Sequence, residues 1–154
     1  MDSDFGMVGS LALPKRLITL INSGFWPRTD EEQRHQNIES LVSKERIHLF
    51  APGEDQVYLL KPPFCTVAQR VSTDIANFWS RFGALEQIAP ELCIDIADFG
   101  LGSDSPIVLN YRESPDDPSV LRLHWREPQP NAWVRCADTF DSFADMLSLE
   151  TSSR

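Results

Sequence analysis

Acidic residues near the ends of apolar runs are the first candidates for chemistry in this sequence. Asp95, Asp98 and Asp104 are close enough along the chain to gather around a hard cation, which carboxylate oxygens bind well. Their spacing matches no EF-hand loop, which requires ligands at fixed positions. Asp98 and Asp104 flank a Gly- and Ser-rich stretch, where aspartate side chains commonly bond their own backbone. We therefore favour turn residues over metal ligands and expect no bound metal.

Nucleophilic catalysis would need a cysteine or serine beside a histidine. Cys65 or Ser105 could act in this way only if the fold brought one of them to a histidine. The histidines lie far apart in the sequence, at His35, His48 and His124. The three cysteines lack C-x-x-C spacing and indicate neither a disulfide framework nor a zinc site. The sequence predicts no catalytic site and no cofactor, with a small hydrolase or ligand-binding domain as an alternative.

Two glycine motifs are excluded by what surrounds them. Asp98-Phe99-Gly100 has the letters of the metal-binding segment of protein kinases. The chain lacks the catalytic-loop His-Arg-Asp, the strand lysine and the Gly-rich phosphate loop that a kinase requires. Gly100-x-Gly102 also lacks the third glycine and the following helix of a dinucleotide-binding motif.

The acidic loops are the best candidates for binding a partner. An acidic Pro-containing turn at residues 113–118 separates two apolar runs, and another acidic loop precedes the first run. Trp125, at the end of the second run, is the tryptophan expected to show an edge to solvent. The alternative is an ordinary solvated turn. The predicted partner-binding residues are Asp98, Asp104, Glu113, Asp116, Asp117 and Trp125.

The charge of the chain favours a basic partner and argues against nucleic acid. The formal net charge is −9. Residues 1–77 carry 8 basic and 10 acidic residues, and the remainder carries 6 and 13, so the acidic excess lies in the second half. Binding phosphates requires a positive surface, whereas an acidic surface can steer a basic protein. Solubility alone is the alternative explanation of the charge.

The sequence also predicts where the chain resides. Its start has acidic residues and no basic segment followed by an apolar one, so no signal peptide is predicted. No apolar stretch approaches the length of a membrane span. Cys93 and Cys136 have apolar neighbours, as expected for core thiols in a reducing compartment. We expect a cytoplasmic protein.

The patterns of the first half predict two helices and a hairpin. A helix beginning near Leu13-Pro14 would place Leu13, Leu17, Leu20 and Ile21 on one face and end at Gly24. Thr29 or Asp30 would cap a second, superficial helix. Arg46–Phe50 alternates and predicts a strand that pairs with a second strand at Val57–Leu60. Residues 65–73 favour a strand weakly.

The second half predicts most of a sheet. A helix from Asp74 to Phe82 is followed by strands at 92–96, 106–111, 120–125 and 133–136, and a closing helix begins at Asp138-Thr139. Short connections favour antiparallel pairing. We therefore predict a single α+β domain over residues 11–149, with a central, largely antiparallel sheet covered by helices. Residues 1–10 are expected to be flexible and residues 150–154 frayed.

One family shares the order of several segments in this chain. Gly102-Ser-Asp-Ser-Pro-Ile-Val-Leu-Asn-Tyr-Arg112 is followed by Pro118-Ser-Val120, by Trp133-Val134 and by Ala137-Asp-Thr-Phe-Asp-Ser-Phe143. This succession resembles the C-terminal half of the SUKH superfamily of cell-wall-regulator-like and toxin-immunity domains. Val57-Tyr-Leu-Leu-Lys-Pro-Pro-Phe64 is similar to the middle hairpin of that family. The resemblance covers about residues 45–149.

The resemblance implies an α+β fold and a function in binding rather than catalysis. Members of the family are bacterial immunity proteins that neutralise toxins, often nucleases, and others resemble scaffolds or regulators. The most concrete expectation is an immunity protein that blocks a basic toxin through acidic loops, and the alternative is a general regulatory or scaffold module. Residues 84–105 are longer than in a minimal member, so no toxin class is predicted.

Overall fold

The computed structural model describes residues 6–36, 42–51, 54, 56–73, 78–83, 85–99, 105–124 and 131–147. Within these ranges no helix is both long and apolar enough to cross a membrane. Asp104 and Trp125 lie outside the described residues, as do Asp74 and the chain after Leu147.

A six-stranded antiparallel sheet forms the centre of the protein. Its strands are β3 (Tyr58–Leu59), β4 (Cys65–Thr66), β5 (Cys93–Asp98), β6 (Pro106–Asn110), β7 (Ser119–His124) and β8 (Ala132–Ala137). The order is β3-β5-β6-β7-β8, and β4 pairs with β5 beside β3. Every pairing is antiparallel, which confirms the predicted α+β class and the predicted strands of the second half.

Helices cover the two faces of this sheet. Side chains of successive strand residues point to opposite faces, and the central strands are buried on both. Ile94, Ile107 and Leu109 pack toward one cluster, and Cys93 and Val108 toward the other. The first face is covered by α1 (Lys15–Ser23) and α6 (Phe140–Met146), and the second by α4 (Val67–Ser72) and α5 (Phe78–Phe82).

The helix α1 follows the prediction from the sequence. Leu17, Leu20 and Ile21 are buried on one face, and Leu13 is buried just before the helix. Gly24 ends the helix with a φ of 85°, and its amide donates to the carbonyls of Leu20 and Ile21. Only glycine adopts this left-handed conformation without steric cost.

The prediction of a strand at Arg46–Phe50 is wrong, because this segment is the helix α3 (Lys44–Phe50). Ser43 caps it by accepting a hydrogen bond from the Arg46 amide over 3.2 Å. Ile47 and Ala51, four residues apart, are both fully buried, as helical periodicity requires. The predicted hairpin is therefore absent from the described residues, and β3 pairs with β5 instead.

Side chains at the end of α2 (Asp30–His35) and directly after it close the outer edge of β3. Thr29 caps this helix, as predicted. Gln36 donates from Nε2 to the Leu59 carbonyl and accepts the Leu59 amide at Oε1, each over 2.8 Å. Gln33 accepts the Lys61 amide over 2.7 Å. The side-chain amides of Gln33 and Gln36 thus make the hydrogen bonds that a further strand would make at this edge.

The segment 65–73, for which a weak strand was predicted, is mostly helical. A two-residue strand, β4, leads directly into α4. Thr66 and Gln69 form a reciprocal capping box at the start of α4, and this pattern of a threonine followed three residues later by a glutamine is the signal that the prediction overlooked.

The N-terminal segment predicted to be flexible contains part of a small hairpin. It comprises β1 (Met7–Val8) and β2 (Leu11–Ala12), joined through Gly9 with a φ of 61°. Val8 and Leu11 are buried. The burial of these two side chains packs the hairpin against the core of the domain.

Candidate functional site

The acidic loop between β6 and β7 is tethered at its base. Tyr111 is buried, and its hydroxyl donates to the Ala12 carbonyl over 2.7 Å. Burial raises the pKa of Tyr111, so the hydroxyl remains a donor. Its amide donates to the Leu92 carbonyl. Within the loop, the Asp117 amide donates to Ser114 Oγ over 3.1 Å, which holds the turn. The loop therefore presents its acids from a fixed base.

A cleft of about 660 Å³ lies beside this loop. Pro115, Asp116 and Asp117 form one wall, and Asp141 lies at the start of α6 on another. The remaining walls come from residues 12–16 and from Thr19 of α1. The volume is within the ~300–1,000 Å³ of typical ligand pockets. We call this feature the acidic cleft.

The charges in the acidic cleft are unequal. Arg16 is held by α6, through an ion pair of 2.8 Å with Asp145 and a bond to the Asp141 carbonyl. Asp116 and Asp117 make no side-chain ion pair with other described residues, nor do Asp141 and Lys15. Three unpaired carboxylates thus face one unpaired ammonium group, and the cleft favours a cationic ligand group.

The first turn of α1 lines the same cleft. Its N-terminus has no side-chain cap and no acidic residue in the first turn. Because a helix N-terminus favours negative charge, it can stabilise the nearby carboxylates of Asp116 and Asp117. Besides binding a partner, Asp116 and Asp117 can therefore interact favourably with the N-terminus of α1.

Glu113 is exposed but already paired. Arg135 donates to its carboxylate and also pairs with Asp138 at 3.3 Å. The pKa of Arg135 is raised, chiefly by the hydrogen bond to Glu113. An exposed pair of this kind contributes little to stability. Its charge is compensated locally, so Glu113 offers less to a partner than Asp116 and Asp117 do.

Asp98 lies at the other end of the sheet and is buried. It pairs with Pro106 at the start of β6, whereas the loop at 111–118 follows the end of β6. These ends are ~14 Å apart at the usual rise of a strand. Asp98 Oδ1 accepts the Ser105 amide over 3.1 Å, so the carboxylate bonds its own loop. The structure therefore separates Asp98 from the acidic cleft.

Sequence reasoning missed a second charged group at this end of the sheet. Arg122 of β7 is buried, with its guanidinium over the Phe99 ring at 5.1 Å and an ion pair with Glu54 at 3.3 Å. Ser105 Oγ donates to the Leu123 carbonyl. Arg122 lies two residues after the apolar Val120 on the same strand. Because side chains two residues apart share a face, this spacing could have indicated that Arg122 faces inward.

Metal and thiol chemistry can be assessed from the described residues. They contain no group of three or more His, Cys, Asp or Glu side chains placed to hold a metal ion. Burial raises the pKa of Cys93 and of Cys136 to about 12, so both thiols stay protonated and are poor nucleophiles. Cys65 is half-buried on β4.

Asp95, which the sequence suggested only as a possible metal ligand, is a functional candidate of a different kind. It is buried on β5, and its Oδ2 accepts from Arg70 Nε over 3.0 Å. Its Oδ1 has no hydrogen-bond partner among the described residues. Burial raises the pKa of Asp95 to about 7, against the opposing charge of Arg70. The available signal was an acid inside an apolar run, Cys93-Ile-Asp-Ile96.

The fold and the cleft define an α+β domain with an acidic cleft at one end of its sheet. Comparisons with protein-family models, with curated proteins and with solved structures found no match.

Proposed function

We propose that this chain is a protein-binding domain whose acidic cleft receives a basic segment of a partner. The observation that carries the proposal is a cleft of about 660 Å³ lined by three carboxylates, Asp116, Asp117 and Asp141, that make no ion pair with other described residues. The tether at Tyr111 fixes the loop, so little conformational entropy is lost on binding.

Charge supports a basic partner. The net charge of −9 produces an attractive field for a cationic protein, and the field increases the association rate more than the lifetime of the complex. Lysine or arginine side chains of the partner would neutralise Asp116 and Asp117. Binding should therefore weaken as salt increases.

The most concrete form of the proposal is an immunity protein of the SUKH type. The segments that carry the resemblance include β6, the start of β7, part of β8 and the start of α6; they flank the acidic loop, and Asp141 among them lines the acidic cleft. Such a protein would act in the cytoplasm by blocking a basic toxin sterically and electrostatically, with no chemistry of its own.

Affinity capture identifies the partner, and a charge-matched variant tests the site. The protein is incubated with lysate of its source organism at low salt and at about twice physiological salt. Retained proteins are identified by mass spectrometry and then purified for titration. We expect a basic partner that is retained at low salt and lost at high salt. A stoichiometric partner without toxin activity would assign the same cleft a regulatory or scaffold role.

The decisive comparison uses Asp116→Asn/Asp117→Asn against Glu31→Gln/Glu45→Gln. Both double variants remove two negative charges, but Glu31 and Glu45 are exposed on α2 and α3 and do not line the cleft. We expect the first variant to lose about tenfold or more in affinity, on the order of 1.4 kcal/mol, and the second to change little. Equal affinities would refute the placement of the site, and no stoichiometric partner at either salt would refute the function.

A further inference from the structure

Asp95 is a buried carboxylate with too few hydrogen-bond donors for its charge. An ionised carboxylate offers about four acceptor positions. Asp95 receives one donor from Arg70 at Oδ2, and Oδ1 receives none from the described residues. A buried charge that is incompletely paired destabilises the closed structure. The neutral acid is therefore the form that fits this environment.

The groups that surround Asp95 supply little compensation. Arg70 of α4 is the charged residue that faces it, and its side chain is 37% exposed, which weakens the attraction. β4 places Cys65 directly opposite Asp95, and β6 places Val108 opposite it. Cys93, two residues earlier on β5, lies on the same face. None of these three side chains donates a strong hydrogen bond to a carboxylate.

The helix α4 covers this carboxylate and is lightly anchored. It has six residues; Val67 is buried, and Val71 packs partly buried against the same cluster. Ser72 and the following Thr73 are exposed. Short helices open at low free-energy cost when few apolar side chains hold them. Because Arg70 belongs to this helix, opening of α4 would hydrate Asp95 and release its partner together.

We propose that Asp95 and α4 form a proton-controlled latch, in which the neutral carboxyl keeps α4 closed on the sheet and its ionisation favours an opened α4. The closed state holds the proton more tightly than the open, hydrated state does. The population of the open state must therefore increase with pH between two pKa values of Asp95: 3.8 in the open, hydrated state and about 7 in the closed state. Above that range opening becomes independent of pH.

Hydrogen exchange of the wild-type chain tests the latch. Protection factors of the hydrogen-bonded α4 amides are measured from pH 5 to pH 8, with those of α6 on the opposite face as an internal control. We expect α4 protection to fall by roughly tenfold for each pH unit up to about pH 7 and then to level off, because one proton is released on opening. The α6 amides should be better protected than the α4 amides at every pH, because α6 buries Phe140, Phe143 and Ala144.

Two variants separate the latch from other pH effects. Asp95→Asn should abolish the pH dependence of α4 protection, because the buried group no longer titrates. Arg70 favours the ionised form of Asp95. Arg70→Gln, at a half-exposed position that should tolerate it, should therefore raise the pH at which α4 protection levels off, which we call the levelling point. Equal protection of the α4 and α6 amides at every pH would show that α4 opens only on global unfolding and would refute a local latch. An unshifted levelling point in Arg70→Gln would also refute it.

Discussion

The side-chain amide of Gln36 makes the two hydrogen bonds that a neighbouring strand would make with Leu59. Its nitrogen donates to the Leu59 carbonyl and its oxygen accepts the Leu59 amide, each over 2.8 Å. Both residues are buried, so water does not replace these bonds. One side chain thereby closes the edge of the sheet at β3.

Replacing Gln36 with alanine should destabilise the protein strongly. The substitution leaves the buried amide and carbonyl of Leu59 unsatisfied, and each costs ~1–3 kcal/mol. We expect the free energy of unfolding to fall by about 2–4 kcal/mol in urea denaturation. Gln33→Ala is the matched control, because it removes one bond, to the Lys61 amide, and should cost about 1 kcal/mol. Similar losses in the two variants would show that Gln36 does not act as a strand substitute.

Asp95→Asn should change how stability depends on pH. The folded pKa of about 7 lies above the unfolded value of 3.8, so the folded state binds more protons between them. The contribution of Asp95 to stability therefore decreases as pH rises through this window and is constant above it. We expect Asp95→Asn to gain stability relative to the wild type from pH 4 to pH 7, measured by urea denaturation at each pH.

Asp138→Asn provides the control for that measurement. The Asp138 side chain is 84% exposed, and its pair with Arg135 is on the surface. Its difference from the wild type should stay small across the same window. A difference for Asp95→Asn that is equally flat would show that Asp95 does not titrate abnormally in the folded protein.

Gly83→Ala should destabilise the junction between α4 and α5. A Cβ at this position would lie 2.6 Å from the Trp79 carbonyl oxygen and 2.8 Å from Val71 Cγ2. The contact with the Trp79 carbonyl lies at the C-terminal end of α5 and requires a backbone shift there, and the contact with Val71 pushes α4 away from α5. We expect the free energy of unfolding to fall by about 1–3 kcal/mol. An unchanged thermal midpoint would show that the packing at this junction is looser than the structure indicates.

Tyr111→Phe should weaken partner binding without changing any charge in the acidic cleft. The hydroxyl anchors the base of the acidic loop to the Ala12 carbonyl over 2.7 Å, and its loss should cost about 1 kcal/mol of stability. If binding uses the cleft, a less fixed loop should lower affinity as well. Tyr58→Phe is the control, because Tyr58 lies on β3 and does not line the cleft. Equal affinities for the two variants would argue against a preorganised loop.

Local patterns in the sequence were sufficient to predict many of the elements. The spacing of Leu17, Leu20 and Ile21 defined α1, and Gly24 defined its end. The apolar runs of the second half defined β5 to β8; β5 and β6, which are buried on both faces, are apolar along most of their length. Local patterns failed at α3, where the alternation around Ile47 suggested a strand. The cap at Ser43 and the burial of Ala51, four residues after Ile47, distinguish the helix.

The sequence by itself determined the fold class, most of the sheet and the acidic loop with Asp116 and Asp117, because these depend on neighbours along the chain. Only the tertiary structure decided which acids share a surface. Antiparallel strands return the chain to alternate ends of the sheet, so Asp98 and the 111–118 loop are separated by the length of β6. The pairing of Asp95 with Arg70, 25 residues apart, likewise depends on α4 folding over β5, which no local pattern specifies.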